Sequence, residues 1–401
     1  MIKANAVIGQ SGGPTAVINS SLAGVIEAAA ASGLIADIYG MQYGIEGFMN
    51  EWLIDLGRQP QKVIKGLRST PSSALGSSRH KLVDRDFPLI LDVLRRNNIR
   101  YFFLVGGNDT MDTVNRVEKY CRENNYELIG VGIPKTVDND LYGTDHTPGF
   151  ASAARSNILN VMQAGVLARD MQKVDKFVIY QTIGRDAGWL ALATALAAGK
   201  EEDAPHLIYA PEFIFDRDKF LTDVERCIIN YGYVSVVCGE GLKYSDGSPV
   251  SQSGTMDKFS NIEFGAMGGA SAGLSLHGMI HAEFGFRGEF QITESLIMCD
   301  MTRASVLDLE EAYMCGKKAV EIAVSGESGF MVSIVRLSDK PYMAEYGKAL
   351  LSDVAVKTKP VPADFFNREG NYASGKFIDY MTPLAGELPE FTELEKIKLQ
   401  K

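Results

Sequence analysis

The sequence predicts an α/β protein built on parallel sheets that carry helices on both faces. Three observations support this fold class: apolar strands alternate with helices, each strand ends in a glycine-containing turn, and a chain of 401 residues with 46% hydrophobic residues can bury more than one core. Alternation favours parallel strands, because each helix returns the chain to the start of the next strand. The length suggests two or three domains.

The first strand–turn–helix unit spans residues 5–33. Its strand leads through the turn GQSGGPTA into a helix that we expect to begin at Pro14 and to end near Gly33. The same order of strand and turn recurs in IRYFFLVGGNDTMDTVNRVEKYC, YELIGVGIPKTVDND, KFVIYQTIGRDAGWLALATALAAG and YGYVSVVCGEGL. Residues 241–262 are polar and rich in Gly and Ser, which predicts a long surface loop, and a late strand is expected in GFMVSIVRL.

Charge and cysteine content exclude several classes of partner. The net charge of -10 and the pI near 5.2 argue against a surface that binds nucleic acid or membrane, so an anionic ligand must be held by locally placed lysines and arginines. Five scattered cysteines without a CxxC pair are typical of reduced thiols in a cytosolic protein. The run GWLALATALAAG is shorter than the roughly 18 residues of a membrane span. We therefore expect a cytoplasmic protein that binds a small molecule.

Two glycine-rich turns could hold phosphate groups. The turn GQSGGPTA offers free backbone N–H groups before a predicted helix, and VGGNDT repeats this arrangement with Asp109 and Thr110 at a helix start. Neither turn matches GxGxxG or the Walker A sequence. Taken alone, each is more typical of a structural turn, since Asp and Thr also cap helices.

The stretch PKTVDND carries more charge than a structural turn needs. Asp138 and Asp140 stand beside Lys135, and carboxylates in this arrangement usually bind a metal ion or transfer protons, although a solvated charged loop is the alternative. Two further strand ends supply Arg185 in IGRDAGW and Glu240 in CGEGL. Ligands bind at the carboxyl ends of strands in open parallel sheets. These strand ends together predict phosphoryl transfer, which needs anion-binding turns, a cation and a base for a hydroxyl group.

Several motifs occur in the order and at about the spacing found in the phosphofructokinase family, which the chain resembles over nearly its whole length. They are GQSGGPTAVIN, TPSSALGSSRHKL, GGNDTMDT, PKTVDNDLYGTDHTPGF, IGRDAGW, GEG and EEAYMCGKKAV. The resemblance implies an α/β fold with two doubly wound, mainly parallel sheets that face a cleft. It also implies a donor-binding domain at residues 1–148 plus about 299–328, and an acceptor-binding domain at residues 149–298 plus about 329–401.

The stretch PKTVDND is similar to the pyrophosphate-dependent branch of this family. Lys135 stands at a position that is glycine in ATP-dependent relatives, and Asp109 stands where those relatives carry a glycine that leaves room for the α-phosphate of ATP. The resemblance implies that Asp138 is the base that takes the proton from the sugar hydroxyl. It also implies that Thr136 and Asp140 contact the substrate and order the site.

The resemblance further implies two sets of binding residues, a Mg²⁺ ion bound at Asp109, and a homodimer or homotetramer. The residues expected around the pyrophosphate donor are Gly12, Gly13, Arg79, Gly107, Asn108, Asp109 and Thr110. The residues expected around the sugar or sugar phosphate are Gly184, Arg185, Glu240 and Met298.

One segment departs from the family pattern, and it concerns the acceptor. Relatives carry a Gln-Arg pair whose arginine binds the 6-phosphate of fructose 6-phosphate, whereas this chain has Ile297 and Met298 at those positions. Glu289 falls where many relatives have a second arginine, so its carboxylate is expected to add negative charge to the acceptor pocket and to repel a phosphate. Losing one charged hydrogen bond to a phosphate costs roughly 1.5 to 3 kcal/mol. Arg287 or Arg303 would have to compensate for it.

Two smaller changes lie in the same half of the chain: the family's GHxQLGG becomes FGAMGG at residues 264–269, and the methionine before its Gly-Arg pair becomes Ile183. The sequence therefore predicts Mg²⁺-dependent transfer from pyrophosphate to a sugar hydroxyl, with conversion of fructose 6-phosphate to fructose 1,6-bisphosphate as the leading reaction. The same chemistry on a different sugar or polyol, including an unphosphorylated one, is the second interpretation. A catalytically silent sugar-binding paralogue is the third, although it would have had no reason to keep Asp138, Lys135 and Asp109. The absence of GxGxxG argues against a dehydrogenase.

Overall fold

A computed structural model of the chain describes residues 3–251, 271–395 and 397. Strands and helices alternate along these residues, as the sequence predicts. The strands are β1 (Ala4–Gln10), β2 (Ile35–Met41), β3 (Leu53–Asp55), β4 (Ile99–Gly106), β5 (Ile129–Pro134), β6 (Phe177–Thr182), β7 (Leu207–Tyr209), β8 (Val234–Gly239), β9 (Gly288–Ile292), β10 (Phe330–Asp339) and β11 (Tyr342–Leu350).

The helices cover the two faces of the sheets and fill the connections between strands. They are α1 (Ile18–Ala31), α2 (Gly44–Met49), α3 (Gln61–Leu67), α4 (Asp86–Arg96), α5 (Asn108–Glu123), α6 (Phe150–Met171), α7 (Trp189–Ala193), α8 (Arg217–Tyr231), α9 (Ala272–Phe284), α10 (Val306–Val324), α11 (Leu351–Val354) and α12 (Gly375–Ala385). Short 3₁₀ turns occupy Thr194–Ala197, Glu294–Cys299, Met301–Arg303 and Ala363–Phe365. Within the described ranges, no helix is long and apolar enough to span a membrane.

Seven strands form the larger sheet, in the order β11-β10-β5-β4-β1-β2-β3. The strands from β10 to β2 are parallel, whereas β11 and β3 run antiparallel at the two edges. The chain places β2 on one side of β1 and later places β4 on the other side, so the order of the strands reverses between β1 and β4. In open α/β sheets, ligands bind in the crevice at such a reversal.

Four parallel strands form the smaller sheet, in the order β7-β8-β6-β9. Two mainly parallel sheets with intervening helices confirm the predicted fold class. The late strand predicted in GFMVSIVRL also exists, and it belongs with its antiparallel neighbour to the larger sheet. The division into two domains stays a prediction, although this pairing joins residues 330–350 to the sheet of the first domain rather than to the second.

The strands of the larger sheet divide their side chains between two hydrophobic cores. In β1, Ala6 and Ile8 pack with residues of α1 and α10, whereas Val7 packs with residues of α4 and α5. Successive side chains of a strand point to opposite faces of the sheet. Because helices cover both faces here, side chains on both sides are buried, and the strands are continuous apolar runs in the sequence. All five cysteines are free, and every one except Cys299 is buried.

Helices α1 and α10 pack closely through two glycines. A Cβ atom at Gly24 would lie 2.1 Å from the carbonyl oxygen of Tyr313, and one at Gly316 would lie 2.1 Å from that of Ser21. Both distances are far below van der Waals contact, so neither position admits a side chain without moving the helices apart. This contact therefore fixes α1, which follows β1, against α10, which follows the 3₁₀ segment that contains Met298.

Two local expectations differ from the structure or fall outside it. Helix α1 begins at Ile18 rather than at Pro14, because the residues before it form an irregular turn in which Gly12 has a left-handed φ of 74°. Of the polar loop expected at 241–262, residues 241–251 are described, and they fold back through a β-bridge between Lys243 and Pro249. The altered motif at 264–269 lies outside the described residues.

Candidate active site

The carboxyl ends of β1, β4 and β5 bring the predicted donor-side residues together. Lys135 directly follows β5, and its Nζ donates a hydrogen bond to the carbonyl oxygen of Gly13 at 2.6 Å. Its backbone N–H donates to the carbonyl oxygen of Gly106, at the end of β4, at 3.0 Å. A Cβ atom at Gly12 would lie 3.3 Å from the same Nζ, so glycine there lets the ammonium approach the turn. The lysine thus lies against the turn after β1.

A second segment closes over the turn after β1. The hydroxyl of Ser77 donates to the carbonyl oxygen of Gly12 at 2.6 Å, and the N–H of Gly12 donates to the carbonyl oxygen of Ser78 at 3.4 Å. Arg79 follows and is exposed, and its positive charge contributes to lowering the pKa of Lys135. The predicted donor residues of this segment therefore lie beside the lysine.

The VGGNDT turn leads into helix α5. Gly107 is the extended residue before the helix, and Asp109 is exposed in its first turn. Thr110 is buried instead, because it packs beneath the strand end, where a Cβ atom at Gly106 would lie 2.2 Å from its Oγ1. Asp109 can therefore meet a ligand through its side chain, whereas the hydroxyl of Thr110 lies under the backbone of the turn.

Asn108 connects the start of α5 to the acidic loop. Its Nδ2 donates to Oδ2 of Asp140 at 3.2 Å, while its Oδ1 is buried and has no hydrogen-bond partner among the described residues. An unpaired amide oxygen beside the carboxylate of Asp109 fits Mg²⁺, which takes oxygen ligands and completes its shell with waters and substrate phosphates. No group of three His, Cys, Asp or Glu side chains among the described residues could hold a metal ion by itself. A magnesium site here would therefore be shared with a bound phosphate.

The acidic loop after β5 turns at Asn139, which is fully buried and has a left-handed φ of 55°. Its Oδ1 accepts two hydrogen bonds, from the N–H of Thr147 at 3.1 Å and from Nζ of Lys359 at 3.2 Å. Asparagine tolerates this conformation better than most residues. Because Asn139 separates Asp138 from Asp140, its conformation determines the directions in which the two carboxylates leave the backbone.

Asp138 has a strongly perturbed pKa. Burial raises its pKa to about 7, and the carboxylates of Asp140 and Glu240 act in the same direction. The positive charges of Lys135 and Arg185 oppose this rise in the pKa. A carboxylate whose pKa lies near 7 can accept a proton and release it again at neutral pH, which suits a general base.

Lys135 is buried, and its pKa is also displaced. Burial lowers its pKa to about 8, and the charge of Asp138 partly opposes that effect. An anionic ligand would raise the pKa again and keep the lysine charged. The next residue, Thr136, accepts a hydrogen bond at its Oγ1 from the N–H of Asp138 at 3.1 Å, so it shapes the same loop.

The smaller sheet supplies the predicted acceptor-side residues at the ends of β6 and β8. The N–H of Gly184 donates to Oε1 of Glu240 at 3.2 Å, and the N–H of Glu240 donates to the carbonyl oxygen of Thr182 at 3.1 Å. Gly184 has a φ of 121°, and a Cβ atom there would lie 2.7 Å from the carbonyl oxygen of Ala187, so only glycine fits. Arg185 follows this glycine and is exposed. Arg185 and Glu240 both act on the pKa of Asp138 in the loop after β5, which indicates that these strand ends of the smaller sheet lie near the acidic loop of the larger one.

The two residues that replace the family's Gln-Arg pair have different environments. Ile297 is 3% exposed and belongs to the hydrophobic core. Met298 is only partly buried and lies against the donor turn, where a Cβ atom at Gly13 would stand 2.7 Å from its Cε. Met298 therefore borders the donor turn, and an apolar thioether stands where the family resemblance implies an arginine.

Arg287 and Glu289 lie at the opposite end of the smaller sheet. Arg287 forms an ion pair with Asp175 at 2.9 Å before β6 begins, and Glu289 is the register partner of Val178. Both positions are near the amino ends of the strands, about 10 Å or more from the carboxyl end that leads to Glu240. The expectation that Glu289 would add negative charge to the acceptor pocket is therefore wrong within a single chain, and Arg287 does not replace the missing arginine there.

Arg303 is held by other partners. Its Nη1 donates to Oδ1 of Asn160 at 2.5 Å, and its Nε lies 3.6 Å from Oδ2 of Asp300. The contact with Asn160 ties the guanidinium to helix α6, and Asp300 pairs with it from the position between two 3₁₀ turns. Arg303 would have to leave both partners before it could bind a phosphate.

Lys359 is a site residue that the sequence did not reveal. It lies in the tail segment KTKPVPADFF, whose two lysines match no motif. Its contact with Asn139 joins positions 220 residues apart in the chain, which no local pattern can indicate. Asn139 carried a weak signal, because asparagine between two aspartates is a common residue for a left-handed turn.

Comparison with known proteins identifies the relatives of this chain. A family model described as phosphofructokinase matches residues 5–322. A pyrophosphate–fructose 6-phosphate 1-phosphotransferase from Halomonas elongata is 36% identical over 417 residues, which cover 100% of this chain and 98% of the relative. The crystal structure of a pyrophosphate-dependent phosphofructokinase from Marinobacter aquaeolei superposes with a TM-score of 0.86 at 34% identity, covering 99% of this chain and 98% of the other.

A relative with a different acceptor in its name also covers most of the chain. A sulfofructose kinase from Alkalicoccus urumqiensis is 32% identical over 354 residues, which cover 87% of this chain and 88% of the relative. Relatives at comparable identity are thus named for two acceptors, fructose 6-phosphate and sulfofructose.

Proposed function

This chain belongs to the phosphofructokinase family, and from that premise we propose that it transfers a phosphoryl group from pyrophosphate to a sugar hydroxyl, with fructose 6-phosphate as the leading acceptor. The observation that carries the proposal is the pair formed by Lys135, which is buried, and Asp138, which is partly buried. A lysine bonded to a glycine-rich turn adjoins a carboxylate whose pKa is about 7. This arrangement supplies a cation for an anionic donor and a base for a hydroxyl group.

In the proposed mechanism, Asp138 takes the proton of the sugar hydroxyl while the oxygen of that hydroxyl attacks the near phosphorus of pyrophosphate. A bond forms between this oxygen and phosphorus, the bond from phosphorus to the bridging oxygen breaks, and inorganic phosphate leaves with the electron pair. Lys135 and Arg79 balance the charge of the donor, and Asp138 later releases its proton. Asn108 and Asp109 would hold Mg²⁺ together with the donor, and the ion would neutralise part of the charge on the phosphate oxygens.

Donor selection follows from the start of α5. Asp109 is exposed in the first helical turn, next to the unpaired oxygen of Asn108. Its carboxylate would repel the α-phosphate of a nucleotide, whereas pyrophosphate ends before that position. We assign pyrophosphate and Mg²⁺ as the donor pair, with the donor side on the larger sheet and the acceptor side on the smaller one.

The experiment that tests the proposal is a panel of donors and acceptors. The full-length protein with Mg²⁺ would be assayed with pyrophosphate and with ATP, each against fructose 6-phosphate, 6-deoxy-6-sulfofructose, fructose and a polyol. Turnover with pyrophosphate and none with ATP is expected, with fructose 6-phosphate as the best acceptor. A higher kcat/KM for ATP would refute the donor assignment. Absence of turnover in every combination would favour a silent sugar-binding protein.

A different acceptor is the second candidate function, and the environment of Met298 favours it. An apolar side chain borders Gly13 where relatives place a phosphate-binding arginine, and Arg287 lies at the far end of the sheet. Such a pocket holds a dianionic phosphate less well than a monoanionic or neutral group. The acceptor named for the sulfofructose kinase relative is a sugar with a singly charged sulfonate. Its kcat/KM can therefore be compared directly with that of fructose 6-phosphate in the panel.

Replacing Met298 by arginine is expected to improve the use of fructose 6-phosphate. One regained charged hydrogen bond should raise kcat/KM about tenfold or more. The matched control is Leu296→Arg, which adds the same charge two residues away on a side chain that is 80% exposed. The gain should be absent for fructose, which lacks the 6-phosphate. An equal gain in both variants would indicate general charge attraction, and no gain in Met298→Arg would contradict the assignment of Met298 to the acceptor site.

The pH dependence of kcat/KM should be a narrow bell. Asp138 must be ionised to accept a proton, so activity should rise as the pH increases through its pKa of about 7. Lys135 must be charged to hold the donor, so activity should fall as the pH increases through its pKa of about 8. Initial rates at low substrate concentration across this interval measure both limbs, which belong to the coupled pair. A flat profile across both values would contradict these two roles.

A further inference from the structure

Lys359 lies in the segment between α11 and α12, and the backbone of this segment is paired with the acidic loop. Thr358 forms an antiparallel β-bridge with Leu141. The N–H of Lys359 donates to the carbonyl oxygen of Asp140 at 2.8 Å. The tail is therefore attached to the loop by its main chain, and the lysine side chain adds to a contact that already exists.

The ammonium of Lys359 uses all of its donors on the same loop. Nζ donates to the carbonyl oxygen of Asp145 at 2.6 Å, to that of Thr144 at 3.1 Å, and to Oδ1 of Asn139 at 3.2 Å. An ammonium group has three protons, so these acceptors satisfy it completely. Nζ also lies 5.1 Å from the ring centroid of Trp189, at a distance that permits a cation–π interaction.

Keeping a lysine at this position is costly. Burial lowers its pKa to about 7, although the carboxylates of Asp145 and Asp140 oppose that shift. Arg336 is the other charged group that acts on it, and it lowers the pKa further. An apolar side chain would avoid the cost of removing an ammonium from water. The three hydrogen bonds to the loop are interactions that an apolar side chain could not make.

We propose that Lys359 is a positioning residue for the phosphoryl transfer proposed above: it holds Asn139 in the left-handed conformation that directs Asp138 and Asp140. The left-handed conformation is less favourable than the ordinary one for a residue with a side chain, so hydrogen bonds to Asn139 help the loop to keep it. The Oδ1 atom of Asn139 receives that support from two donors, and one of them, Lys359, also binds the next turn of the loop at Asp145. The hydroxyl of Tyr380 makes a second link between these residues, since it accepts from Nδ2 of Asn139 at 3.5 Å and donates to the carbonyl oxygen of Asp145 at 3.2 Å. The inference rests on the proposed function, because it assumes that Asp138 acts as the base.

The test compares Lys359→Met with a matched variant two positions earlier. Lys357 is exposed, pairs with Asp353 at 3.2 Å and lies 4.7 Å from the ring centroid of Tyr142, so Lys357→Met removes the same charge from the same segment without removing a hydrogen bond to Asn139 or Asp145. In Lys359→Met, kcat should fall about ten- to a hundredfold, the usual effect of misplacing a reacting group by about 1 Å. Both KM values should change less than about threefold, because no ligand contact is removed. Lys357→Met should match the unaltered protein in all three constants.

A purely structural role would give a different result. It would lower the melting temperature and the folded fraction but leave kcat per folded molecule unchanged, so the rates are normalised to the folded fraction measured by circular dichroism. Lys359→Arg should recover part of the lost kcat, because guanidinium keeps the charge and several donors. If Lys359→Met does not fold, Lys359→Gln carries the same test, since glutamine keeps donors but lacks the charge and the length. Normal kcat in a folded Met or Gln variant would overturn the inference.

The outcome for the unaltered protein separates this inference from the proposed function. If the unaltered protein does not turn over any acceptor, the proposed function fails and the role of Lys359 fails with it. If the unaltered protein is active and Asp138→Asn is not, while Lys359→Met retains full kcat, the proposed function stands and only the positioning role is refuted.

Discussion

The Asp138→Asn variant is expected to lose at least about a hundredfold in kcat, the contribution of a positioned general base. Asparagine has almost the same shape as aspartate but cannot accept the proton of the sugar hydroxyl. KM for pyrophosphate and for the acceptor should change little, because the loop keeps the contacts around Asn139. Steady-state kinetics at saturating substrate measure the effect. Near-normal turnover would remove Asp138 from the mechanism.

The stability of Asp138→Asn provides a control for the interpretation of its lost activity. Above the folded-state pKa of about 7, the ionised carboxylate is held in a buried position near Asp140 and Glu240, which disfavours the folded state. Neutral asparagine removes that cost, so the melting temperature at alkaline pH should stay the same or rise. A matched substitution, Asp112→Asn, changes a partly exposed carboxylate in α5 that pairs with Arg116, and it should leave kcat unchanged. A large loss of stability in Asp138→Asn would show that lost activity reflects unfolding.

The Lys135→Met variant is expected to show the second large effect. It removes a charged hydrogen-bond donor from the pyrophosphate site, so kcat/KM for pyrophosphate should fall about a hundredfold. Lys135 also lowers the pKa of Asp138, so the acid limb of the pH profile should move to higher pH. Both changes are measured in one series of rates at low donor concentration over a range of pH.

A second lysine variant provides the comparison for Lys135→Met. Lys119 is exposed in helix α5, and Lys119→Met should leave both the rate and the acid limb unchanged. If Lys135→Met kept its kcat/KM for pyrophosphate, Lys135 would not be a donor residue, and the choice of pyrophosphate over ATP would lose its main support.

Much of the fold could be predicted because the alternation of strands and helices depends on local patterns of apolar residues and glycine-containing turns. The partners of the late strand could not be predicted in the same way. Its apolar pattern predicts a buried strand, but the pairing of Phe330 with Val131 depends on contacts between segments that are distant in the sequence. The start of the first helix was misplaced for a related reason, since proline is compatible with a first helical turn and Gly12 instead prolongs the irregular turn.

The site was predictable where its residues share one turn and unpredictable where they meet through the fold. Lys135 and Asp138 stand in a single motif, so their proximity follows from spacing alone. Glu289 was assigned to the acceptor pocket by alignment with arginines of relatives, yet its strand register places it at the far end of the sheet. Lys359 was overlooked because its function depends on a carbonyl and a side chain more than 200 residues away, a separation of 214 positions in the case of Asp145.

The composition of the larger sheet has a consequence for the order in which the protein can fold during synthesis. The smaller sheet uses strands that are consecutive in the chain, whereas the larger sheet needs β10 to cover the outer edge of β5. A growing chain therefore presents an unpaired β5 edge, and the glycine face of α1 without its partner α10, until the ribosome has passed the whole intervening segment. The acidic loop gains its contact with Lys359 later still. Nascent chains stalled before that residue would carry the catalytic motif without the support of the tail, which ties the onset of activity to near-completion of translation.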